Sequence, residues 1–358
     1  MFHNDRKTSA EQETSHFCVL AFVLFLYWLS TAASGQEGVP AASEREIAAG
    51  VAAAPTGISS TEREIVALEL APASRDQLSR AVQQKDFKKA ETILVDEVNR
   101  DPKSRRSASL LEFAGGIFFL DGDYLNSAIA WEKAQAIAPL DERSRFTLAM
   151  AYVRLHRPQW AERELQKLSS QRPQNSLYLY WLSRLDYDAQ KYAEAIEKLL
   201  KVIKVDPQMP RAYDLLGLCY DYLGRLQDAI ANFAQSVQLN RLQAKPSPWP
   251  NLDMALCQME LNDLTGAEKN LQEAIAYDPR LALAKYNLGR VLERQAKYEQ
   301  AVSALNSAVV LDAAYAEPHY LLGRIYQRLG KPQLAKMESE RFQQLRTVQD
   351  RPTDGPSR

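Results

Sequence analysis

The fold is decided by residues 210–243, which read PRAYDLLGLCYDYLGRLQDAIANFAQSVQLNRLQ. Apolar side chains return every three or four positions in both halves of this stretch, as they do along one face of an amphipathic helix. Gly224 stands between the two halves, where a glycine is typical of a short turn. The stretch therefore predicts a helical hairpin, two helices joined by a tight turn.

The same hairpin pattern recurs along most of the chain. A small residue returns in successive first helices at intervals of 34, 34, 34, 38, 34 and 34 residues, and another small residue follows each one after 12 positions. The first set is Gly115, Ala149, Ser183, Gly217, Ala255, Gly289 and Gly323, and the second is Ser127, Ala161, Ala195, Ala229, Ala267, Ala301 and Ala335. Small side chains let two helix backbones approach closely. A constant period of this kind predicts an array of repeats.

Proline closes several repeats at one phase, because it cannot continue a helix. These residues are Pro102, Pro139, Pro173, Pro207 and Pro279. In its period, its paired small residues, its aromatic positions such as Tyr220 and Phe233, and its closing proline, the chain closely resembles the tetratricopeptide repeat family. The resemblance implies an all-α fold, a right-handed α-α superhelical solenoid whose first helices line a concave groove.

Residues 71–349 are predicted to form this solenoid. About eight repeats are expected, near 71–104, 108–141, 142–175, 176–209, 210–243, 248–281, 282–315 and 316–349. Residues 244–250 hold four extra residues and are expected to bulge between two repeats. The second helix of the last repeat is polar, which suits a terminal cap. Residues 36–70 are interpreted as a flexible linker and residues 350–358 as a disordered tail.

The N-terminal segment carries a continuous apolar run at residues 17–29, followed by small residues. A run of this length suits the core of a signal peptide better than a spanning helix. Residues 1–35 are therefore predicted to be a signal peptide, or alternatively a single-pass anchor. Either alternative predicts an exported protein, periplasmic or secreted, or else membrane-anchored with the repeat body outside the cytoplasm.

Composition excludes some classes of protein. Hydrophobic residues make up 46% and charged residues 25% of the chain, which is ordinary for a folded protein. The formal net charge is −1, which argues against nucleic-acid binding through bulk phosphate attraction. Cys219 and Cys257 occupy equivalent positions in consecutive repeats, too far apart for a disulfide, and are interpreted as small buried residues. The residues predict neither a metal site nor a cofactor.

Catalytic motifs are missing from the sequence. There is no glycine-rich phosphate loop, no HExxH and no Gly-x-Ser-x-Gly elbow. The four histidines read as surface or packing residues, and residues 121–123 read as a hairpin turn. We therefore expect a non-enzymatic scaffold that binds protein segments, with envelope assembly or secretion as a role. A membrane-tethered, self-associating organiser and, less favoured, an enzyme with a site between repeats are the alternatives.

Mapping the family's groove face onto this chain gives the candidate binding residues. Three repeats place a tyrosine one turn before an arginine, so that the guanidinium can stack on the ring and still present its donors. The expectation is apolar anchoring toward the N-terminal half of the groove and carboxylate capture toward the C-terminal half. The candidates are Phe119, Phe146, Met150, Tyr180, Arg184, Tyr187, Tyr286, Arg290, Arg294, Tyr320, Arg324 and Arg328.

The expected partner is a protein or a peptide. The family's version that binds chaperone tails uses a lysine and an asparagine at two groove positions of one repeat. No repeat here has that pair, which argues against a chaperone C-terminal tail. The mixed tyrosine and arginine face is compatible with other peptides as ligands. A membrane contact is expected only through the possible N-terminal anchor.

Overall fold

A computed structural model describes residues 58–349, which belong to one compact unit, Val51–Arg358; a second unit, Met1–Gly50, lies outside the described residues. Every regular element between residues 58 and 349 is an α-helix. The predictions for residues 1–35 and 350–358 fall outside this range. Among the helices that are described, none has both the length and the apolar character needed to cross a bilayer.

Seventeen helices follow one another in the described residues, and all but the first pair into eight hairpins. They are α1 Ile58–Ala67, α2 Pro72–Gln83, α3 Phe87–Arg100, α4 Arg105–Leu120, α5 Tyr124–Ile137, α6 Glu142–Arg154, α7 Pro158–Gln171, α8 Ser176–Asp188, α9 Tyr192–Val205, α10 Pro210–Tyr222, α11 Leu226–Asn240, α12 Trp249–Glu260, α13 Leu264–Tyr277, α14 Ala282–Arg294, α15 Tyr298–Leu311, α16 Ala316–Arg328 and α17 Pro332–Gln349. We number the eight hairpins one to eight in chain order.

Each hairpin turns through one residue in the left-handed region of backbone conformation. Gly224 has a φ of 70°, and His156 occupies the same position of repeat three with a φ of 53°. The turn is closed by two bonds, from Gly224 N to the Asp221 carbonyl at 2.8 Å and from Arg225 N to the Tyr220 carbonyl at 2.8 Å. These bonds satisfy carbonyls at the end of the first helix. They fix the hairpin geometry even in repeats that have another residue at the position of the glycine.

The paired small residues lie where the two helices of a hairpin cross. A Cβ atom added to Gly217 would lie 2.6 Å from the Phe233 ring, and one added to Gly115 would lie 2.7 Å from the Trp131 ring. Both rings are buried. The small residues are therefore required by the large side chains that pack over them, as the sequence predicted.

Consecutive hairpins stack through their helices in chain order. Each second helix packs against the first helix of the next repeat, and successive first helices also approach one another more closely than successive second helices do. This arrangement places the first helices on the inner side of the array. The result is an all-α helical repeat solenoid, and the candidate groove residues lie on its inner helices.

The linker prediction is wrong for its last part, because α1 is helical and packs against repeat one. Ile65, Leu68 and Leu70 are buried in the same cluster as Leu78. The sequence predicted a flexible linker here, because residues 36–70 are rich in alanine, serine and glutamate and are interrupted by Pro40 and Pro55. Residues 58–70 belong to the folded body, whereas the rest of the predicted linker lies outside the described residues.

Two local predictions are confirmed. The inserted loop after α11 is held by Asn240, whose side chain donates to the Ser247 carbonyl at 2.8 Å and accepts from Ser247 N at 2.9 Å. Cys219 and Cys257 are both buried free thiols. The insertion therefore adds a clamped loop without breaking the stack.

Candidate functional site

The inner face of the last two repeats carries two stacked tyrosine–arginine pairs. Arg290 Cζ lies 5.7 Å from the centroid of the Tyr286 ring, and Arg324 Cζ lies 5.9 Å from that of Tyr320. Both arginines are exposed, and Tyr320 is 52% exposed. The predicted geometry is thus present in repeats seven and eight, with the guanidinium groups open to solvent.

A buried glutamate links the two repeats beneath these pairs. Glu293 Oε1 lies 3.1 Å from Arg324 Nη2 and 3.5 Å from Arg328 Nη1. Arg328 also stacks at 5.8 Å on the Tyr298 ring of α15 and donates to its hydroxyl at 3.2 Å. The hydrogen bond to Tyr298 and the nearby Glu293 raise the pKa of Arg328. These contacts hold both arginines in place.

The other two arginines of this face donate to neutral oxygens. Arg290 Nη1 donates to Asn287 Oδ1 at 2.8 Å, while Arg294 donates to the Met259 carbonyl at 2.8 Å and to Asn262 Oδ1 at 3.0 Å. Within residues 61–347 neither guanidinium forms an ion pair with a carboxylate within 4 Å. Of the four arginines, only Arg324 and Arg328 have a carboxylate partner among the described residues, the shared Glu293, which leaves a surplus of positive charge. We call Arg290, Arg294, Arg324 and Arg328 the arginine quartet.

The third predicted pair is arranged differently. Arg184 lies over the Tyr187 ring at 5.6 Å and forms an ion pair with Asp188 at 3.0 Å, instead of stacking on Tyr180. Arg211 of the next repeat covers the Tyr180 ring at 4.7 Å. Tyr180 is 0% exposed, so this ring is a packing residue between repeats four and five. The i,i+4 spacing could not reveal this, because the competing arginine comes from another repeat.

The predicted apolar half of the groove is largely closed. Met150 is 0% exposed and Phe146 is also buried, with its ring 5.6 Å from that of Tyr178. These two residues form core contacts, so they are not available to a ligand in this structure. Phe119 is half-buried and packs at 5.3 Å on Tyr124. The groove prediction is therefore corrected for this half, because large neighbouring side chains fill the space above the first helices.

An exposed aromatic cluster at the centre of the array was not predicted. The rings of Tyr192 and Tyr222 stack with centroids 5.0 Å apart, and Tyr187 meets Tyr222 edge-on at 5.7 Å. Tyr222 is largely exposed. Of the three, only Tyr187 stood among the candidates. Tyr192 comes from the second helix of the same repeat, with its ring 5.7 Å from that of Tyr187, and Tyr222 comes from repeat five.

A pair of carboxylates lies between repeats five and six. Burial and the negative charge of Asp221 raise the pKa of the half-buried Asp253 to about 7. The Cys257 thiol donates to Asp221 Oδ1 at 3.4 Å, and burial raises the pKa of this thiol above its ordinary value. Asp253 is therefore partly protonated near neutral pH, which the sequence alone did not indicate.

We expect Asp253→Asn to stabilise the protein at pH 8 and to change little at pH 4. The folded state holds the Asp253 proton more tightly than the unfolded state, so the free energy of unfolding of the wild type falls as the pH rises from about 4 to about 7. Because the carboxyl group is half-buried, we expect a gain of ~1–2 kcal/mol at pH 8. Urea denaturation at both pH values checks this, and equal curves for wild type and variant at pH 8 would contradict it.

No group of three or more histidine, cysteine, aspartate or glutamate side chains among the described residues is arranged to hold a metal ion. His319, predicted as a surface or packing residue, is buried with Nδ1 2.6 Å from Glu338 Oε2. The residues brought together on the inner face are thus aromatic rings and cations suited to contact, rather than a nucleophile with its base.

Comparison with known proteins supports the repeat assignment. Family models of the tetratricopeptide repeat match residues 146–199 and 182–245, and a further TPR repeat model matches residues 294–330. These matches fall in repeats three to five and seven to eight. A search of curated proteins found no match.

Several solved structures share the fold at low sequence identity. A tetratricopeptide repeat protein from Parabacteroides merdae is 16% identical, with a TM-score of 0.54, over 76% of this chain and 99% of its own. The type IV pilus biogenesis factor PilW is 19% identical, with a TM-score of 0.51, over 58% of this chain and 98% of its own. A chain of the APC/C hetero-tetramer Cut9–Hcn1 is 17% identical, with a TM-score of 0.50, over 72% of this chain and 50% of its own.

At these identities the likeness shows the fold. The matched repeats, the small residues under large rings and the eight stacked hairpins all lead to one assignment. The chain therefore contains tetratricopeptide repeats within an all-α repeat solenoid, and these repeats support a protein-interaction scaffold.

Proposed function

We propose that this protein is a non-catalytic scaffold that binds acidic protein segments along the inner face of repeats seven and eight. The observation that carries the proposal is the arginine quartet, four guanidinium groups of which two share the buried carboxylate of Glu293 and two pair with no carboxylate among the described residues. A guanidinium group presents a planar fork of donors that matches a carboxylate. Stacking on tyrosine rings holds that fork in position and lowers the entropy lost on binding.

The apolar anchoring first expected in the N-terminal half has no open counterpart at Phe146 or Met150. We therefore place the binding face at the C-terminal end, where Tyr320 offers an exposed ring beside the guanidinium groups. Alternating carboxylate and apolar side chains in a partner segment would match this surface. Export rests on the apolar run at residues 17–29, and a role in envelope assembly or secretion is part of the same proposal.

The test compares two variants with the same change in net charge. One replaces the arginine quartet with glutamine, and the control replaces four exposed cations of second helices, Lys201, Lys204, Lys269 and Lys336. Partners are captured from an envelope extract with wild-type full chain, identified by mass spectrometry, and their acidic segments are synthesised for fluorescence anisotropy. We expect the quartet variant to lose at least ~10-fold in affinity, while the control stays within ~2-fold.

Salt dependence provides a second measurement of the same binding. Affinity should fall as ionic strength rises, because exposed charges are screened over about 10 Å at 0.1 M salt. Circular dichroism of both variants verifies that the fold is kept. Equal affinity of the two variants for the captured segments would remove the quartet as the binding face.

A further inference from the structure

Helix α1 lies on the inner face of the first repeats, where a bound ligand would lie. Leu78 stands three residues before the small residue Ala81, as Tyr286 stands before Gly289. It is thus the counterpart of a groove tyrosine in repeat one. Leu78 is buried in one cluster with Ile65 of α1, so α1 covers this groove position.

Polar contacts also hold residues 58–70 against the array, one with repeat one and one with repeat three. Arg75 of α2 donates to the Leu70 carbonyl at 3.1 Å, and Arg143 of α6 forms an ion pair with Glu64 at 2.6 Å. Each arginine stands three residues before the groove position of its own helix, Leu78 and Phe146. The segment 58–70 is therefore held by apolar anchors in repeat one and by a charge on repeat three.

This position differs from that of an end cap. A helix that continued the stack would cover the outer side of α2, but Asp76 and Arg80 on that helix are exposed. On α1 itself, Ile65 is 1% exposed whereas its neighbour Val66 is 60% exposed. The helix is amphipathic and turns its apolar side to the inner surface of the array.

We propose that the inner face of repeats one to three is a second protein-binding surface, specific for a short amphipathic helix with acidic residues, and that α1 occupies it in the free protein. A partner helix of the same chemistry binds by displacing α1. The Glu64–Arg143 pair fixes the orientation of the bound helix. It contributes little binding energy, because both side chains are about half exposed. Apolar contacts at Ile65, Leu68 and Leu70 supply most of the affinity.

Tethering gives α1 an advantage over any separate helix. The segment joins α2 directly through residues 68–71, so its effective concentration at the surface is high. A partner helix therefore displaces α1 only where its own contacts with the surface outweigh this advantage. This proposal goes beyond the binding of acidic segments by the arginine quartet and stands whether or not that binding occurs.

The test uses the full chain and a labelled synthetic peptide, ISSTEREIVALEL, with the sequence of residues 58–70. Ile65→Asp in the protein removes the central apolar anchor and releases α1, while Val66→Asp places the same charge on the exposed side as the matched control. By fluorescence anisotropy, we expect the peptide to bind the Ile65→Asp protein at least ~10-fold more tightly than either wild type or the Val66→Asp protein.

A peptide that itself carries the Ile65→Asp change should not bind. Absence of binding of the unmodified peptide to a folded Ile65→Asp protein would overturn the proposal. If that variant does not fold, hydrogen exchange of the wild type decides the question. Amides of α1 that exchange well before those of α2 and α4 support a displaceable occupant, whereas exchange of all three helices as one unit identifies α1 as an integral part of repeat one.

Discussion

Gly217→Leu is expected to destabilise the protein by about 3 kcal/mol or more, the upper range for overpacking a core. The Cβ atom alone would lie 2.6 Å from Phe233, and a leucine adds three further carbons in the same direction. Both helices of repeat five must then separate, which also opens the contacts to repeats four and six. Urea denaturation followed by circular dichroism at 222 nm measures the loss.

Gly116→Leu is the matched control for this prediction. Gly116 also lies within a first helix, α4, but a Cβ atom added there would have no atom within 4 Å. Replacing a helical glycine that has open space at its Cβ position raises helix propensity, so we expect a change between zero and about 1 kcal/mol in favour of folding. Partial rescue of Gly217→Leu by Phe233→Ala would identify the clash as the cause. Similar denaturation midpoints for the two leucine variants would contradict the packing argument.

Arg145→Met is expected to cost about 2–3 kcal/mol at neutral pH, because it leaves a buried carboxylate with fewer partners. Glu164 is fully buried, and Arg145 Nη1 lies 2.7 Å from Glu164 Oε2. Burial acts to raise the pKa of Glu164, but hydrogen bonds from Lys167 and Arg145 outweigh it and hold this pKa below its usual range. Lys167, at 2.8 Å, remains in the variant and limits the loss.

The pH dependence distinguishes this cause from a simple loss of packing. A carboxyl group with a lowered pKa stabilises the fold above its unfolded pKa, and this contribution is lost as the pH falls through its folded pKa. The difference between wild type and Arg145→Met should therefore shrink below about pH 4. Arg172→Met is the control, since Arg172 pairs with Glu142 at 2.8 Å but is mostly exposed. We expect it to cost less than about 0.5 kcal/mol.

A difference between Arg145→Met and Arg172→Met that stays constant from pH 3 to pH 8 would remove the buried ion pair as the cause. The double variant Arg145→Met with Glu164→Leu provides a further test of the buried ion pair. Replacing both partners by apolar side chains removes the uncompensated charge, so most of the stability should return. Thermal unfolding at low ionic strength suffices for this comparison.

Repetition made the fold predictable from sequence. Each hairpin must bury its apolar face against a neighbour, so the spacing of small residues such as Gly217 and of large ones such as Phe233 repeats with the structure. The stacked pairs of repeats seven and eight were also predictable, because an i,i+4 spacing puts Tyr286 and Arg290 on one helical face. These are local relations along a single helix.

The remaining features depend on side chains from different repeats. Arg211 of repeat five covers the Tyr180 ring that the spacing assigned to Arg184, and Glu293 of repeat seven pairs with Arg324 and Arg328 of repeat eight. The regular spacing of residues does not predict such contacts, since each depends on which side chain of a neighbouring repeat packs at that position. They were visible only once the helices were packed.

The repeating pattern of residues was enough to predict the all-α array and the arginine face of its C-terminal end. Contacts between distant parts of the chain were needed to show that the N-terminal part of the groove is filled by core residues such as Met150 and covered by α1. The physical reason is that periodicity specifies which face of a helix is apolar, whereas the occupant of that face comes from another part of the chain. Residues 58–70 carry no repeat, so their place on the inner face could be learned only from their contacts.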